Sequence, residues 1–189
     1  MTELLNFLDS LHPLPDPLTE RLQEIVAEQE IARKKFLLKA GRICNNIYFV
    51  RKGIFRAYYN KAGKDISHGF MKEGRICVDL DSYNKQSYSN MNIQALEDSL
   101  VQYIPSEHLK KAMEDFPLLN QVGRILTEKC LLREIGRMKG TWMLKAEDRF
   151  RWLREHSPDL IKRVPGKYLA SFIGMTEEML SRLKQKSHD

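Results

Sequence analysis

The spacing of glycines in the middle of the chain limits the fold more strongly than any other sequence feature. Gly41, Gly53, Gly63 and Gly74 separate apolar runs of strand length, and further such runs follow them. Glycines at these intervals are typical of turns between strands. The pattern predicts about seven or eight short strands, enough for a small jelly-roll barrel. Within it, residues 61–64 predict the tip of a hairpin.

Helical patterns flank the predicted barrel on both sides. Two short ones, over residues 3–11 and 17–28, are expected to cap a sheet. After the strands, a helical pattern begins at Ser106, and its apolar residues extend over roughly 20 residues. A helix of that length with a wide apolar stripe usually packs on more than its own domain, so this segment predicts a dimer interface.

The end of the long pattern predicts a hinge, and a further domain follows it. Gly136 and Gly140 interrupt the helical spacing ahead of a helix predicted over residues 141–155. The fold class expected from the sequence is α+β, with three parts in order. These parts are a jelly-roll sensor barrel with its N-terminal helices over 1–105, a long dimerisation helix over 106–138, and a small helical helix-turn-helix domain over 139–189.

Residues 164–186 have the pattern of a helix-turn-helix. Apolar residues at helical spacing lie on both sides of Gly174, which can take the positive φ that ends the first helix. Thr176 offers a hydroxyl N-cap to the second helix, and two glutamates place negative charge in its first turn. Two amphipathic helices joined at a glycine also occur in proteins that never bind DNA, so this segment alone leaves both interpretations open.

The charge distribution favours an anionic partner. The chain has a net charge of +6. Residues 1–106 contain 14 Lys and Arg against 13 Asp and Glu, whereas residues 107–189 contain 17 against 12. Basic charge next to the helix pair is what a phosphate-binding surface needs, although a solvated basic surface without a partner has the same composition.

Several other classes of protein are not indicated. No apolar run approaches the ~18 residues of a membrane span, and the first residues lack the pattern of a secretion signal. We therefore expect a cytoplasmic protein without a membrane partner. The three cysteines lie far apart, without the spacing of a zinc or iron–sulfur site, so we expect no metal and no bound cofactor.

Three stretches carry a family resemblance: KFLLKAGRICNNIYFVRKGIFRAYY in the predicted barrel, IQALEDSLVQYIP before the long helix, and VPGKYLASFIGMTEEMLSRLK in the helix pair. Together they resemble the Crp/Fnr superfamily of bacterial transcription regulators. The resemblance implies a cyclic-nucleotide-binding-type barrel, a dimerising helix and a C-terminal winged helix-turn-helix. It also implies a homodimer that binds double-stranded DNA at a palindromic operator, with RNA polymerase as a candidate further partner.

The resemblance places base-reading residues at the start of the second helix of the pair, on Glu177, Glu178 and Arg182. Glu178 can accept a hydrogen bond from cytosine N4, and Arg182 can bind guanine O6 and N7 with its guanidinium. Glu177 stands where many members have arginine, so the operator sequence does not transfer. The alternative for both glutamates is a charged first turn that only stabilises the helix. Five residues are placed as phosphate contacts, which position a protein without reading sequence: Thr176, Ser181, Lys167, Tyr168 and Lys184.

The sensor end departs from the family pattern. In cyclic-nucleotide-binding members, a Gly-Glu pair holds the ribose, and an arginine followed by serine or threonine holds the cyclic phosphate. Carried onto this chain, these positions fall on Val78 and Asp79 and on Ser89 and Asn90. No arginine lies between residues 75 and 124, and a cyclic phosphate needs a cationic partner. We predict that the chain does not respond to cyclic AMP, and that its effector is an unidentified small molecule or absent.

Two other functions remain as alternatives. Jelly-roll barrels also occur in metal-dependent enzymes, whose sites need two or three histidines and a carboxylate at one metal. The five histidines here are widely separated, and no serine or cysteine lies in a nucleophile motif, so we expect no catalytic residue. A lone His68 is more often structural than a haem ligand. The second alternative is a regulatory ligand-binding or protein-interaction module that does not bind DNA.

Overall fold

The computed structural model describes residues 2–186, apart from the side chain of Trp142. Helices and strands both occur, which confirms the predicted α+β class. The described residues fall into two compact units: residues 2–57 with 70–128 form unit 1, and residues 58–69 with 129–186 form unit 2. None of the helices in this part of the chain is long and apolar enough to span a membrane.

The helices are α1 (Glu3–Leu11), α2 (Asp16–Ile25), α3 (Leu80–Lys85), α4 (Ser106–Asp115), α5 (Leu118–Trp142), α6 (Ala146–His156), α7 (Pro158–Arg163), α8 (Gly166–Phe172) and α9 (Glu177–Lys186). The strands are β1 (Ala27–Ile31), β2 (Phe36–Leu38), β3 (Asn46–Lys52), β4 (Phe55–Lys61), β5 (Lys64–Met71), β6 (Ile76–Cys77), β7 (Met91–Ala95) and β8 (Ser99–Pro105). They form two four-stranded sheets, with strand orders β1-β8-β3-β6 and β2-β7-β4-β5. This is the two-sheet arrangement that the glycine spacing predicts.

Apolar side chains from both sheets fill the interior of the barrel. Val50, Phe55, Cys77 and Val101 are completely enclosed and belong to one apolar cluster. β3 pairs antiparallel with β8, and in this register Val50 lies opposite Val101. Because side chains alternate along a strand, the residues between these inward positions face the other side of each sheet.

A second apolar cluster lies between the helices of unit 1 and the outer face of the β1-β8-β3-β6 sheet. Phe49 alternates with the inward residues of β3 and packs in this second cluster. Leu18 and Leu22 of α2 and Ala112 of α4 are completely buried there. The N-terminal helices thus cap a sheet, as the sequence predicts. The helix predicted over 17–28 is shorter than expected, because the chain enters β1 two residues after α2 ends.

The predicted hairpin tip is present. A two-residue turn of Ala62 and Gly63 joins β4 to β5, with φ angles of 51° and 78°. Positive φ at both positions is the geometry of a type I′ turn, whose twist matches that of the flanking strands. Glycine takes this conformation without steric cost.

The segment 106–138, which the sequence predicts as one long helix, contains two helices. α4 ends at Asp115, and α5 begins at Leu118. Pro117 lies between them, has no backbone N–H and disfavours helical geometry in the residue before it. Proline is well tolerated at the start of the next helix, so it separates the two helices without disturbing the second.

The predicted hinge at Gly136 and Gly140 is wrong. α5 continues through both glycines to Trp142, and the chain leaves the helix only at residues 143–145. A Cβ built on Gly140 would overlap the ring of Trp152, so this glycine allows α5 and α6 to pack closely. A Cβ on Gly136 would meet no other atom within 4 Å.

Candidate nucleic-acid interface

α8 and α9 form the predicted helix-turn-helix. Gly174 follows α8 with a φ of 66°, in the left-handed region that favours glycine. The N–H of Met175 donates to Ala170 O at 2.9 Å and closes the turn. Leu169 and Leu180, one from each helix, are almost completely buried. The residues that predict the turn are therefore the ones that form it.

Two further helices of unit 2 support this pair. α6 packs against α9, and α7 packs against α8. Phe150 and Leu153 of α6, Leu160 of α7 and Val164 just before α8 are buried in the shared core. This core lies on one side of α9 and leaves the other side exposed to solvent. A helix that is exposed on one side and supported by a packed core on the other has the arrangement that insertion into a DNA groove requires.

The first turn of α9 is fixed by a side-chain cap. Thr176 Oγ1 accepts a hydrogen bond from Met179 N at 3.2 Å, as the predicted N-cap should. Glu178 and Arg182 are both exposed and lie one turn apart. The pKa of the Glu178 carboxyl is lowered, first by its own backbone N–H, then by the Thr176 hydroxyl and more weakly by the charge of Arg182. Glu178 is therefore an ionised hydrogen-bond acceptor at neutral pH.

Glu177 is exposed, as Glu178 is, but its carboxylate also has a neighbour in the helix pair. A Cβ built on Gly166 would lie 3.3 Å from Glu177 Oε1, so this carboxylate lies against the start of α8. The N-terminal end of a helix favours a nearby negative charge, and the contact stabilises the helix pair. The sequence groups Glu177 with Glu178 and Arg182 as base-reading residues, whereas the structure gives Glu177 a contact within the helix pair.

The residues predicted to contact phosphates lie on both helices of the pair. Thr176 and Ser181 are exposed at the start and in the middle of α9. Lys167 is exposed at the start of α8, and its Nζ lies 4.9 Å from the ring centroid of Tyr168. Tyr168 and Lys184 are half-buried. The structure thus brings Lys167 and Tyr168 together, while the other three lie along α9 and its N-cap.

Arg149 of α6 is a residue at this site that sequence reasoning missed. A Cβ built on Gly174 would lie 2.9 Å from Arg149 Nη1, so the guanidinium lies against the turn. Its Nε is buried and has no hydrogen-bond partner among the described residues. A cation near the C-terminal end of α8 is favoured by the helix dipole, and Arg149 therefore supports the turn. The one sequence signal that could have pointed to Arg149 is its position next to the apolar Phe150 on an amphipathic helix.

A second missed contact joins α8 to the β4–β5 hairpin within unit 2. Ser171 Oγ accepts a hydrogen bond from Ser67 N at 3.0 Å and donates one to Asp65 O at 3.2 Å. Residues two apart on a strand direct these backbone groups to the same side, and β5 lies at the edge of its sheet. One hydroxyl therefore satisfies a donor and an acceptor of an edge strand. Residues so distant in the chain leave no local pattern that predicts their contact.

The four predicted effector positions lie in unit 1, and two of them contact each other. Ser89 Oγ donates a hydrogen bond to Asp79 Oδ2 at 2.5 Å, and both side chains are buried. Asp79 Oδ1 also accepts from Ser82 N and so caps α3. Val78 packs against the barrel cluster, while Asn90 is exposed.

The four predicted effector positions supply no cation for a cyclic phosphate. Ser89 stands at the position that the resemblance gives to the phosphate-binding arginine, and its hydroxyl donates to Asp79, so neither Ser89 nor Asn90 supplies the positive charge that a phosphate needs. Arg56 of β4 is buried, but it lies between Phe55 and Ala57, which pack in the barrel interior, so it faces the other side of the sheet. Within residues 2–186, no group of three or more His, Cys, Asp or Glu side chains is arranged to hold a metal ion.

Comparison with known proteins identifies the type of fold. Residues 28–116 match the family model of the cyclic nucleotide-binding domain. The structure of a protein from Eubacterium rectale assigned to the Crp/Fnr family matches with a TM-score of 0.71 at 15% identity and covers 97% of this chain and 88% of that one. The chain has the Crp/Fnr fold. The fold that the three sequence stretches lead us to expect is thereby confirmed.

Two further proteins are similar to this chain. The c-di-GMP-responsive global regulator CLP of Xanthomonas campestris matches with a TM-score of 0.71 at 16% identity, covering 92% of each chain. The transcriptional regulatory protein btr of Bordetella pertussis is 25% identical over 183 residues, which cover 90% of this chain and 75% of that protein. The wing that the family resemblance implies is not found among the described residues, where β8 is the last strand.

Proposed function

We propose that this protein is a Crp/Fnr-type transcription regulator that binds double-stranded DNA with sequence specificity, using α9 as its recognition helix. The observation that carries the proposal is the position of Glu178 and Arg182. Both side chains are exposed one turn apart, on a helix whose other side is buried in the core of unit 2. A recognition helix of this kind enters the major groove with the residues of its first turns against the base edges.

The two side chains have complementary roles in this proposal. Arg182 binds guanine through O6 and N7, and ionised Glu178 accepts a hydrogen bond from cytosine N4. Each good pair contributes ~1–3 kcal/mol of discrimination against a wrong base. Glu177 keeps its contact with α8 in this arrangement. The proposed phosphate contacts are Lys167, Tyr168, Thr176, Ser181 and Lys184.

We further propose that α5 forms a homodimer. Leu131, Leu132, Ile135 and Met138 are exposed large apolar side chains at helical spacing in its unit 2 portion. Such a stripe is unfavourable in water and is typical of a helix that pairs with a second copy. A two-fold dimer presents two copies of α9, which suits a palindromic operator.

The signal in this proposal is not cyclic AMP. Asp79 and Ser89 bind each other at positions where the resemblance implies ribose and phosphate contacts. CLP, which has the same fold, is described as responsive to c-di-GMP, so one barrel fold serves more than one ligand. From this proposal we also expect the protein to contact RNA polymerase and to be located in the cytoplasm. We assign it no catalytic role.

Fluorescence anisotropy with labelled duplexes tests the proposed DNA contacts. For the wild-type chain, we expect the logarithm of the affinity to fall linearly with the logarithm of the salt concentration, because bound phosphates release counterions. Arg182→Ala should reduce the preference for a selected duplex over a scrambled one by roughly tenfold, because it removes a base contact. Lys167→Ala should weaken binding to both duplexes about equally.

Lys110→Ala is the matched control, because Lys110 is an exposed lysine of α4 in unit 1. It should leave both the affinity and the preference unchanged. An affinity that does not depend on salt would favour a protein-interaction module. An equal loss of preference in Arg182→Ala and Lys167→Ala would contradict the division between base and phosphate contacts.

A further inference from the structure

An open cavity of about 310 Å³ lies in unit 1, between β2 and the start of β3, outside the proposed DNA interface. Its lining residues all fall between Phe36 and Tyr48. They include none of the four predicted effector positions. The volume is at the low end of the ~300–1,000 Å³ range of small-molecule sites, so the cavity suits a small ligand.

The charged residues that line this cavity are both basic. Lys39 and Arg42 are part of its wall, and no acidic residue is. Within residues 2–186, neither side chain forms an ion pair with an acidic group. Lys39 Nζ lies 5.0 Å from the ring centroid of Phe36, at the cavity wall. Both side chains are exposed, and two cations without an ion-pair partner favour an anion beside them.

Tyr48 adds a buried hydrogen-bond donor to the same wall. Its side chain is 7% exposed, and its hydroxyl accepts a hydrogen bond from Asn46 Nδ2 at 2.9 Å. The Tyr48 hydroxyl also has one proton to donate. Among the described residues, no acceptor is found for this proton. Burial raises the pKa of Tyr48, so the hydroxyl keeps this proton at neutral pH. A ligand oxygen would satisfy it.

Apolar side chains form the rest of the wall, among them Phe36 and Ile43. We propose that the cavity binds a small organic anion, a carboxylate on a compact apolar body. The carboxylate lies toward Arg42 and Tyr48, and the apolar body lies against Phe36 and Ile43. The cavity adjoins the cyclic-nucleotide positions, since Ser89 N donates a hydrogen bond to Arg42 O, but none of those four positions lines it. Ligand binding there does not depend on DNA binding.

Benzoate and benzamide are a matched pair of probes, because they share a ring and differ in charge. In isothermal titration of the full chain, we expect benzoate to bind at millimolar concentration or below, and benzamide about tenfold more weakly. Arg42→Gln should weaken benzoate binding by about tenfold, because it removes the cation and keeps a polar side chain. Tyr48→Phe should weaken it as well, while keeping the ring that packs against Tyr103.

Lys110→Gln, which removes an exposed lysine that does not line the cavity, is the control and should bind benzoate as the wild type does. Thermal unfolding without ligand establishes that each variant is folded, and Tyr48→Phe carries the test if Arg42→Gln does not fold. Absence of benzoate binding at millimolar concentration, equal binding of benzamide, or unchanged benzoate affinity in the folded cavity variants would overturn the proposal. The titration contains no DNA, so its result does not depend on α9.

Discussion

Ser89 Oγ donates a hydrogen bond to Asp79 Oδ2 at a distance of 2.5 Å, and both residues are buried in unit 1. The family resemblance assigns these positions to the ribose and cyclic phosphate of a bound nucleotide. In this chain the two side chains bind each other, and Asp79 also caps α3. The Asp79 carboxyl and the Ser89 hydroxyl thus form hydrogen bonds within the protein instead of facing a ligand.

Cyclic AMP is therefore expected not to stabilise the folded protein. A ligand that binds the folded state raises the Tm by mass action, and the effect grows with ligand concentration. Because the Asp79–Ser89 pair presents no cation to a phosphate, the Tm should be the same with and without millimolar cyclic AMP. A Tm that rises with cyclic AMP concentration would show that the pair opens to admit it.

Two glycines of α5 are expected to respond oppositely to alanine. Gly140→Ala should destabilise the protein by about 1–3 kcal/mol, because the added methyl group would overlap the Trp152 ring. Gly136→Ala should instead stabilise it by about 0.5–1 kcal/mol, because its Cβ meets nothing and alanine favours a helix. Chemical denaturation of both variants measures the difference. Equal effects would contradict the packing role of Gly140.

The three cysteines are expected to differ in reactivity. Burial raises the pKa of the Cys44 and Cys77 thiols, so both stay protonated and weakly nucleophilic at pH 8. Cys130 is only half-buried on α5. Iodoacetamide should therefore modify Cys130 first in the native chain, as followed by mass spectrometry, and all three residues after unfolding in urea. Modification of native Cys77 as fast as Cys130 would be inconsistent with an enclosed thiol.

Leu132→Asp is expected to convert a dimer into a monomer. Leu132 is 68% exposed, so a charge there should not unfold the chain but should oppose burial against a second copy. Met143→Asp is the control, since Met143 is 81% exposed and lies beyond the end of α5. Sedimentation at micromolar concentration gives both masses. A monomeric wild type would exclude the proposed homodimer at that concentration.

The features that the sequence predicts well are those encoded by neighbouring residues. Gly63 forms the hairpin turn and Gly174 the helix-turn-helix turn, each because glycine takes a positive φ at a place where the chain reverses. The cap at Thr176 follows from the same kind of local chemistry. Short apolar runs separated by glycines or polar residues likewise predict the strands that contain Val50 and Val101.

The features that the sequence did not predict depend on distant contacts. A glycine inside a helical pattern can either bend the helix or leave space for a neighbouring ring, and the local sequence does not distinguish the two roles. For Gly140, the position of Trp152 shows that the glycine leaves space for a ring. Arg149 acts on a turn 25 residues away in sequence, and Ser171 on the edge of β5. Such contacts depend on how helices and strands pack together, and the periodicity of apolar residues within one segment does not indicate them.

The claim that α9 reads DNA sequence is tested most directly by selection of random duplexes with the purified wild-type chain. We expect an enriched palindrome, with half-sites separated by about one helical turn of DNA and with conserved guanine and cytosine positions. Repeating the selection with Arg182→Ala should remove the preference at the guanine position. If the folded wild-type chain enriches no sequence at all, the proposed role of Glu178 and Arg182 is wrong.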